Sequence, residues 1–192
     1  MKKTCIILIL SFISSVSLAQ TTWVIDPTHS SVQFDVSHLA VSSVTGFFTS
    51  YAGTLTSKKN DFEDSKINAT IEVASITTHN LERDKHLKED DFFNAEKFPE
   101  IKFVSTSFKK VSDNNYRIEG NLTIRDVTKP VTLDAEFGGI VSINNKKKAG
   151  FTATGTIDRF EYGLKWDDVL DNGGLIVGEK VDIILKIELV KQ

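Results

Sequence analysis

Val181–Leu189 reads VDIILKIEL. Val181, Ile183, Leu185, Ile187 and Leu189 fall on one face, with Asp182, Lys186 and Glu188 on the other. A period of two over nine residues is the signature of a strand with one dry side and one wet side. The pattern recurs upstream. Val32, Phe34, Val36 and His38 alternate against Ser31, Gln33, Asp35 and Ser37. Ile67, Ala69, Ile71 and Val73 repeat it, as do Tyr116, Ile118, Gly120, Leu122 and Ile124. So do Val131, Leu133, Ala135 and Phe137, then Phe151, Ala153, Gly155 and Ile157. Asn/Asp-rich stretches separate the runs at Lys58–Asp61, Ser112–Asn115 and Asn144–Lys146, as hairpin connections require. These features predict one all-β domain of about eight or more strands, mostly antiparallel. One apolar face per strand fits a sandwich or a barrel. Long strands joined by hairpins favour the up-and-down barrel, whose closure also removes exposed edges.

The alternation breaks at Leu81–Phe93, LERDKHLKEDDFF, where charge, a histidine and two adjacent aromatics are packed together. A short helical insertion is expected here, with Thr77, Thr78 or Asn80 as its N-cap. A β-container with this one charged, aromatic-tipped interruption has the makings of a mouth and lid. A second irregular stretch runs from Ile157 to Asn172, with Gly163 ending a helical turn.

Met1–Ala19 reads as a cleaved export signal. A basic start at Lys2 and Lys3 precedes an apolar run, and Ser17-Leu18-Ala19 fits the cleavage rule. The run is too short for a stable membrane span. The expected mature domain is therefore residues 20–192, periplasmic or secreted. Cys5, the single cysteine, lies within the signal, which leaves the mature chain without disulfides or thiol chemistry. The net charge of −3 and the lack of a basic stripe argue against nucleic acid as a partner. Lys146-Lys147-Lys148 reads as a solvated hairpin tip.

Several blocks occur in a telling order. They are Trp23-Val24-Ile25-Asp26, His29-Ser30, Gly46-Phe47-Phe48, Arg83-Asp84-Lys85-His86-Leu87 and Asp91-Phe92-Phe93. Phe98-Pro99, Phe103-Val104-Ser105, Val127–Val131, Arg159 and Tyr162-Gly163-Leu164 follow. In this order and spacing the chain resembles the YceI-like family from Trp23 to about Leu189. The resemblance implies an extended antiparallel lipocalin-like β-barrel. It also implies export and an apolar interior that holds a long isoprenoid-type lipid, of the quinone or polyprenyl phosphate class. No catalytic activity or cofactor follows from it, beyond such a lipid as ligand, and a homodimer is compatible with it. One departure is Asp126, where the family pattern has glycine. Asp tolerates left-handed turns, so a preserved hairpin is expected.

Candidate wall and lid residues are Phe34, Val36, His38, Phe47, Phe92, Phe93, Phe103, Phe137 and Phe151, with Leu185. Strand parity fits a filled interior as well as a tunnel; the resemblance implies the tunnel. Of Phe92 and Phe93, neighbours in sequence, one is expected to point inward. Arg83, Asp84 and His86 are candidates for a polar mouth that orients a head group. The alternative for Arg83 and Asp84 is an ion pair or cap that pins the lid. His38 reads as a buried, hydrogen-bonded histidine. The four histidines form no HExxH and have no cysteine partner, so no metal site is expected. No GxSxG elbow accompanies them, so no catalytic residue is assigned. Two other readings remain open: a lipid-directed enzyme using His86 or His38 as general base, and a filled barrel acting through protein contacts.

Overall fold

The alternating runs form strands because each can bury one row of side chains while its backbone pairs with neighbours on both sides. The computed structural model describes residues 20–59, 61–171 and 173–192. The expected export signal lies outside them. Eleven strand segments make one continuous antiparallel sheet: β1 Thr21–Ile25, β2 Ser31–His38, β3 Ser42–Phe48, β4 Tyr51–Ser57, β5 Lys66–Glu72, β6 Ile76–Thr77, β7 Glu100–Lys110, β8 Asn115–Ile124, β9 Val127–Ile143, β10 Lys146–Asp158 and β11 Val177–Lys191.

β1 and β2 both pair with β11, at Trp23–Ile25 and Ser31–His38. They are two halves of one bent strand. β3 pairs with β2 while β4 pairs with β1, so β3 and β4 form the next bent strand, kinked at Thr49-Ser50. β5 and β6 form the third, joined by the short 3-10 turn Val73–Ser75. β7 to β11 then follow in sequence order, and β11 returns to β1. The eleven segments are thus eight strands of a closed up-and-down antiparallel barrel, as expected from the sequence.

Inward and outward residues alternate as the sequence requires. β8 is the clearest case, with Tyr116, Ile118, Gly120, Leu122 and Ile124 directed inward. Two inward glycines make room for rings on the wall. A Cβ on Gly46 would fall 2.2 Å from Phe34 Cζ, and one on Gly120 would fall 2.4 Å from Phe103 Cζ. Both rings therefore lie along the wall over a neighbouring strand, where any larger residue would push them away.

The two ends differ. At the end holding the 58–65, 111–114 and 144–145 connections, Trp23, Phe62, Phe108, Tyr116, Phe137 and Phe151 pack into an aromatic floor. Phe62 contacts Trp23, Phe137 and Phe151 at ring-centroid distances of 5.3, 5.4 and 5.2 Å. It is fully buried with φ 61°, a left-handed conformation costly for a bulky residue. Tyr116 donates its hydroxyl to the Asp61 carbonyl at 2.5 Å and tethers this loop. The polar reading of Lys58–Asp61 gave no hint of a plug one residue further on.

Helix α1, Leu81–His86, sits at the opposite end. Asn80 is its N-cap, accepting from the Arg83 backbone N–H at 3.1 Å. Two corrections concern turns and their flanks. In the β8–β9 hairpin the left-handed residue is Arg125 (φ 56°), which precedes Asp126. His79 lies before the helix, its ring tilted against that of Phe47. Lys148, expected to be solvated with Lys146 and Lys147, instead bridges Asp26 at 3.1 Å and Glu188 at 2.6 Å. Asn144 and Asn145, both left-handed, make the tight turn before it. No helix among the described residues is long and apolar enough to cross a membrane.

Candidate lipid-binding cavity

A cavity of about 400 Å³ runs down the barrel from the helical end toward the aromatic floor. Its wall comes from nearly every strand: Val32, Phe34, Val36, Phe48, Leu55, Ile67, Ala69, Phe103, Leu122, Leu133, Phe151, Ile183, Leu185 and Leu189 all contribute. No Ser, Cys, Asp or Glu is among the lining residues. Such a wall excludes water and offers contact to any flexible apolar chain. Phe103 and Leu185 pack against both core clusters and mark the middle of the barrel.

Phe34, Val36, His38, Phe92, Phe93, Phe103 and Phe151 line the cavity with Leu185. Two candidates do not. Phe47 points outward, because Val44, Gly46 and Phe48 take the inward positions of β3; its ring lies 6.0 Å from that of His79. Phe48 is the residue that faces the lumen, between Phe34 and Phe93, each 5.9 Å away. Phe137 belongs to the floor, 5.0 Å from Phe151, and does not line the cavity. His38 is half-buried at the wall, and its ring makes no hydrogen bond among the described residues, unlike the buried, bonded histidine expected.

The mouth is roofed by two segments, 78–99 and 159–166. Phe92 stacks on Trp166 at 5.9 Å, and His86 meets the Phe92 ring edge-on at 5.0 Å. The Asp91 carbonyl accepts from the Lys165 and Trp166 N–H groups at 2.8 and 3.2 Å. Phe93 turns into the barrel against Phe48. Both phenylalanines therefore face the cavity, Phe93 as part of the wall and Phe92 as part of the roof. Arg125 holds the assembly from the side. Its Nη1 donates to the carbonyls of Asp90, Phe92 and Gly163 at 2.6, 2.7 and 3.0 Å, and its Nη2 to the Asp90 carboxylate at 3.0 Å. No local pattern signals this role, since the contacts span more than thirty residues.

The three polar mouth candidates divide. Asp84 is a structural anchor that does not line the cavity. Its carboxylate accepts from the Thr78 N–H and hydroxyl, both at 2.6 Å, and from the Thr77 hydroxyl at 3.0 Å. Burial pushes its pKa up, but these hydrogen bonds and the nearby Arg83 charge outweigh that and leave it below the usual carboxylate value. Arg83 lines the cavity while bonding Thr78 through Nε (2.7 Å) and Nη2 (3.1 Å). His86 also lines it and bonds the Asp91 carboxylate through Nε2 at 2.6 Å.

Arg159, absent from the expected polar mouth, is the most enclosed cation at this end, 3% exposed. The register between β2 and β11 jumps between Val177 and Val181, and this bulge turns carbonyls toward Arg159. Nε donates to Gly178 O at 2.8 Å, Nη1 to Leu164 O at 3.1 Å and Nη2 to Val177 O at 3.0 Å. The guanidinium carbon lies 4.1 Å from the centre of the Phe160 ring. Burial pushes its pKa below the usual arginine value, against the more distant charges of Asp158, Asp167 and Glu179.

Asp26, His29 and Glu188 form a metal-like group away from the cavity. Lys148 bonds both carboxylates and supplies the positive charge there. The hydrogen bonds from His29 and Lys148 hold Asp26 well below the usual carboxylate value.

The family model for the YceI-like domain matches residues 23–189. The chain belongs to the YceI-like family. A UPF0312 protein of Staphylococcus aureus (strain USA300) is 38% identical over 163 residues, covering 84% of this chain and 92% of the relative. The crystallised Campylobacter jejuni YCEI protein is 30% identical, with a TM-score of 0.68 over 79% of this chain and 87% of that one. Two further solved structures share the barrel. Burkholderia cenocepacia BcnA has a TM-score of 0.72 at 21% identity, covering 85% of this chain and 98% of its own. A polyisoprenoid binding domain from Saccharophagus degradans has a TM-score of 0.62 at 12% identity, covering 90% and 98%. At those identities the likeness speaks for the fold alone.

Proposed function

We propose that this YceI-like protein is an exported, non-catalytic carrier. It sequesters one long isoprenoid-type lipid, of the quinone or polyprenyl phosphate class, in its barrel. The observation that carries the reading is the cavity of about 400 Å³, walled by aliphatic and aromatic side chains and closed below by rings. That volume lies within the range of small-molecule sites, roughly 300–1,000 Å³. A filled barrel acting through protein contacts would not need such a space. The naming of the Saccharophagus domain as polyisoprenoid binding supports the ligand class. The signal-like Met1–Ala19 segment supports a periplasmic or secreted location.

The chemistry of the wall supports carriage over turnover. Affinity comes from burying methylenes, at ~0.8 kcal/mol each, and should grow with tail length until the floor is reached. His86 is engaged with Asp91, and the lining offers no serine, thiol or carboxylate to work with it. The test is mass spectrometry of the purified mature protein, native and then solvent-extracted. A co-purifying long-chain prenoid is the expected result. A clean apo mass that persists after incubation with prenyl lipids would refute the carrier reading.

A further inference from the structure

Arg159 presents an unusual balance of donors. A guanidinium carries about five N–H groups. Three are accounted for by the Gly178, Leu164 and Val177 carbonyls. Two remain, one on each Nη nitrogen, without an acceptor among the described residues. The neighbouring carboxylate of Asp158 is engaged elsewhere, by Lys180 Nζ at 3.1 Å and the Phe160 N–H at 3.0 Å. Arg83, by contrast, is an exposed residue, so its spare donors are open to solvent. Arg159 is buried, with Phe160 across its face. It is also part of the cavity lining, so the dry space of the barrel reaches it. Leaving two donors of a buried cation without acceptors in such a place is costly, and an acceptor oxygen arriving with a ligand would remove that cost.

From this geometry we infer that Arg159 is the head-group receptor of the cavity, and that the ligand's head presents an acceptor oxygen to its two free N–H groups. The inference rests on the carrier reading and specifies which end of the lipid is recognised, and where. The tail would run down the barrel toward Phe103 and Phe151. The head would stay beneath the roof of Phe92 and Trp166, beside the β11 bulge. The bulge explains the placement. Its Val177 and Gly178 carbonyls, together with Leu164 O from the roof segment, hold three donors and leave the guanidinium, with its remaining two, little freedom to turn. Phosphate, carboxylate and quinone carbonyl share the required chemistry, and a hydrocarbon without oxygen lacks it.

The experiment uses the delipidated mature protein and three probes of matched tail length: a prenyl phosphate, a prenyl quinone and an oxygen-free prenyl hydrocarbon. Competition against a fluorescent long-chain lipid gives the relative affinities. Both oxygen-headed probes are expected to bind at least about tenfold more tightly than the hydrocarbon. Arg159→Gln should collapse that preference while still binding the hydrocarbon. A larger gain for the phosphate than for the quinone would identify an anionic head; equal gains would identify a neutral acceptor.

Arg159 also ties Leu164 to β11, so the variant could fail to fold. The Arg159 Nε–H resonance of the wild-type protein therefore provides an independent measurement. It should shift with oxygen-headed probes and stay in place with the hydrocarbon. Equal affinity for all three probes, or an unmoved resonance, overturns the inference while leaving the carrier reading intact. A preference lost in Arg83→Gln but kept in Arg159→Gln also overturns it. Failure of every probe to bind would overturn the carrier reading itself.

Discussion

Ala69→Phe tests the hollow interior directly. Ala69 is only partly buried, faces the lumen and pairs with Phe103 at mid-barrel. A benzyl group added there projects into space that a tail would use. The ring takes room for roughly six methylenes, so a long tail loses about 5 kcal/mol at ~0.8 kcal/mol per methylene. That corresponds to a Kd weaker by a factor of about 10³ or more. A short prenoid that fits above mid-barrel should be nearly unaffected, so the variant should flatten the dependence of affinity on chain length. The protein itself gains a buried ring in an existing space, and its stability should hold or rise slightly. Isothermal titration with a chain-length series, beside a denaturation curve, reads both effects. Undiminished affinity for the longest chain would place the tail elsewhere. A loss of stability of about 1–3 kcal/mol, the usual result of overpacking, would mean the interior is filled at that level.

Phe47 and Phe48 are adjacent but face opposite sides, so Phe48→Ala should weaken tail binding about tenfold or more while Phe47→Ala leaves it unchanged; equal losses in a lipid-displacement assay would refute the assigned β3 parity. Asp84→Asn should loosen the lid, because a donor replaces an acceptor facing Thr77 and Thr78, at a local cost of about 1–3 kcal/mol. Faster amide exchange in 78–93 with unchanged exchange in β8 and β9 is the expected signature. For the wild type, the pKa of Asp84 is lower folded than unfolded. Its stabilisation is therefore complete above the unfolded carboxylate value and is lost as pH falls through the folded one. Lid protection should weaken only below about pH 4, and a decline already present between pH 7 and 5 would point to another group.

Much of the barrel was legible in the sequence because its physics is local. The side-chain period of two assigned Phe34, Phe103, Phe151 and Leu185 to the inner face before any pairing was known. The Leu81–Phe93 interruption marked the lidded end, because a charged helix start cannot continue an alternating strand. Three features became visible only in the tertiary structure. Phe47 and Phe48 are both apolar neighbours, so only the register against β2 and β6 decides which one faces in. Phe62 lies in a polar turn, and its role as a plug depends on Trp23, Phe137 and Phe151 arriving from three distant strands. Arg125 and Arg159 carry no local sign of what they bond, because it is the roof segments and the β11 bulge that bring backbone carbonyls to them.

The sequence by itself therefore determined an all-β barrel with an apolar lining and one lidded end, since periodicity and turn chemistry act over a few residues. Tertiary structure alone decided that the barrel is hollow, where it is plugged and which cation faces the cavity. Those properties depend on how far apart opposite walls stand, and on which carbonyls a buried charge can reach, and neither is written in the spacing of a single strand.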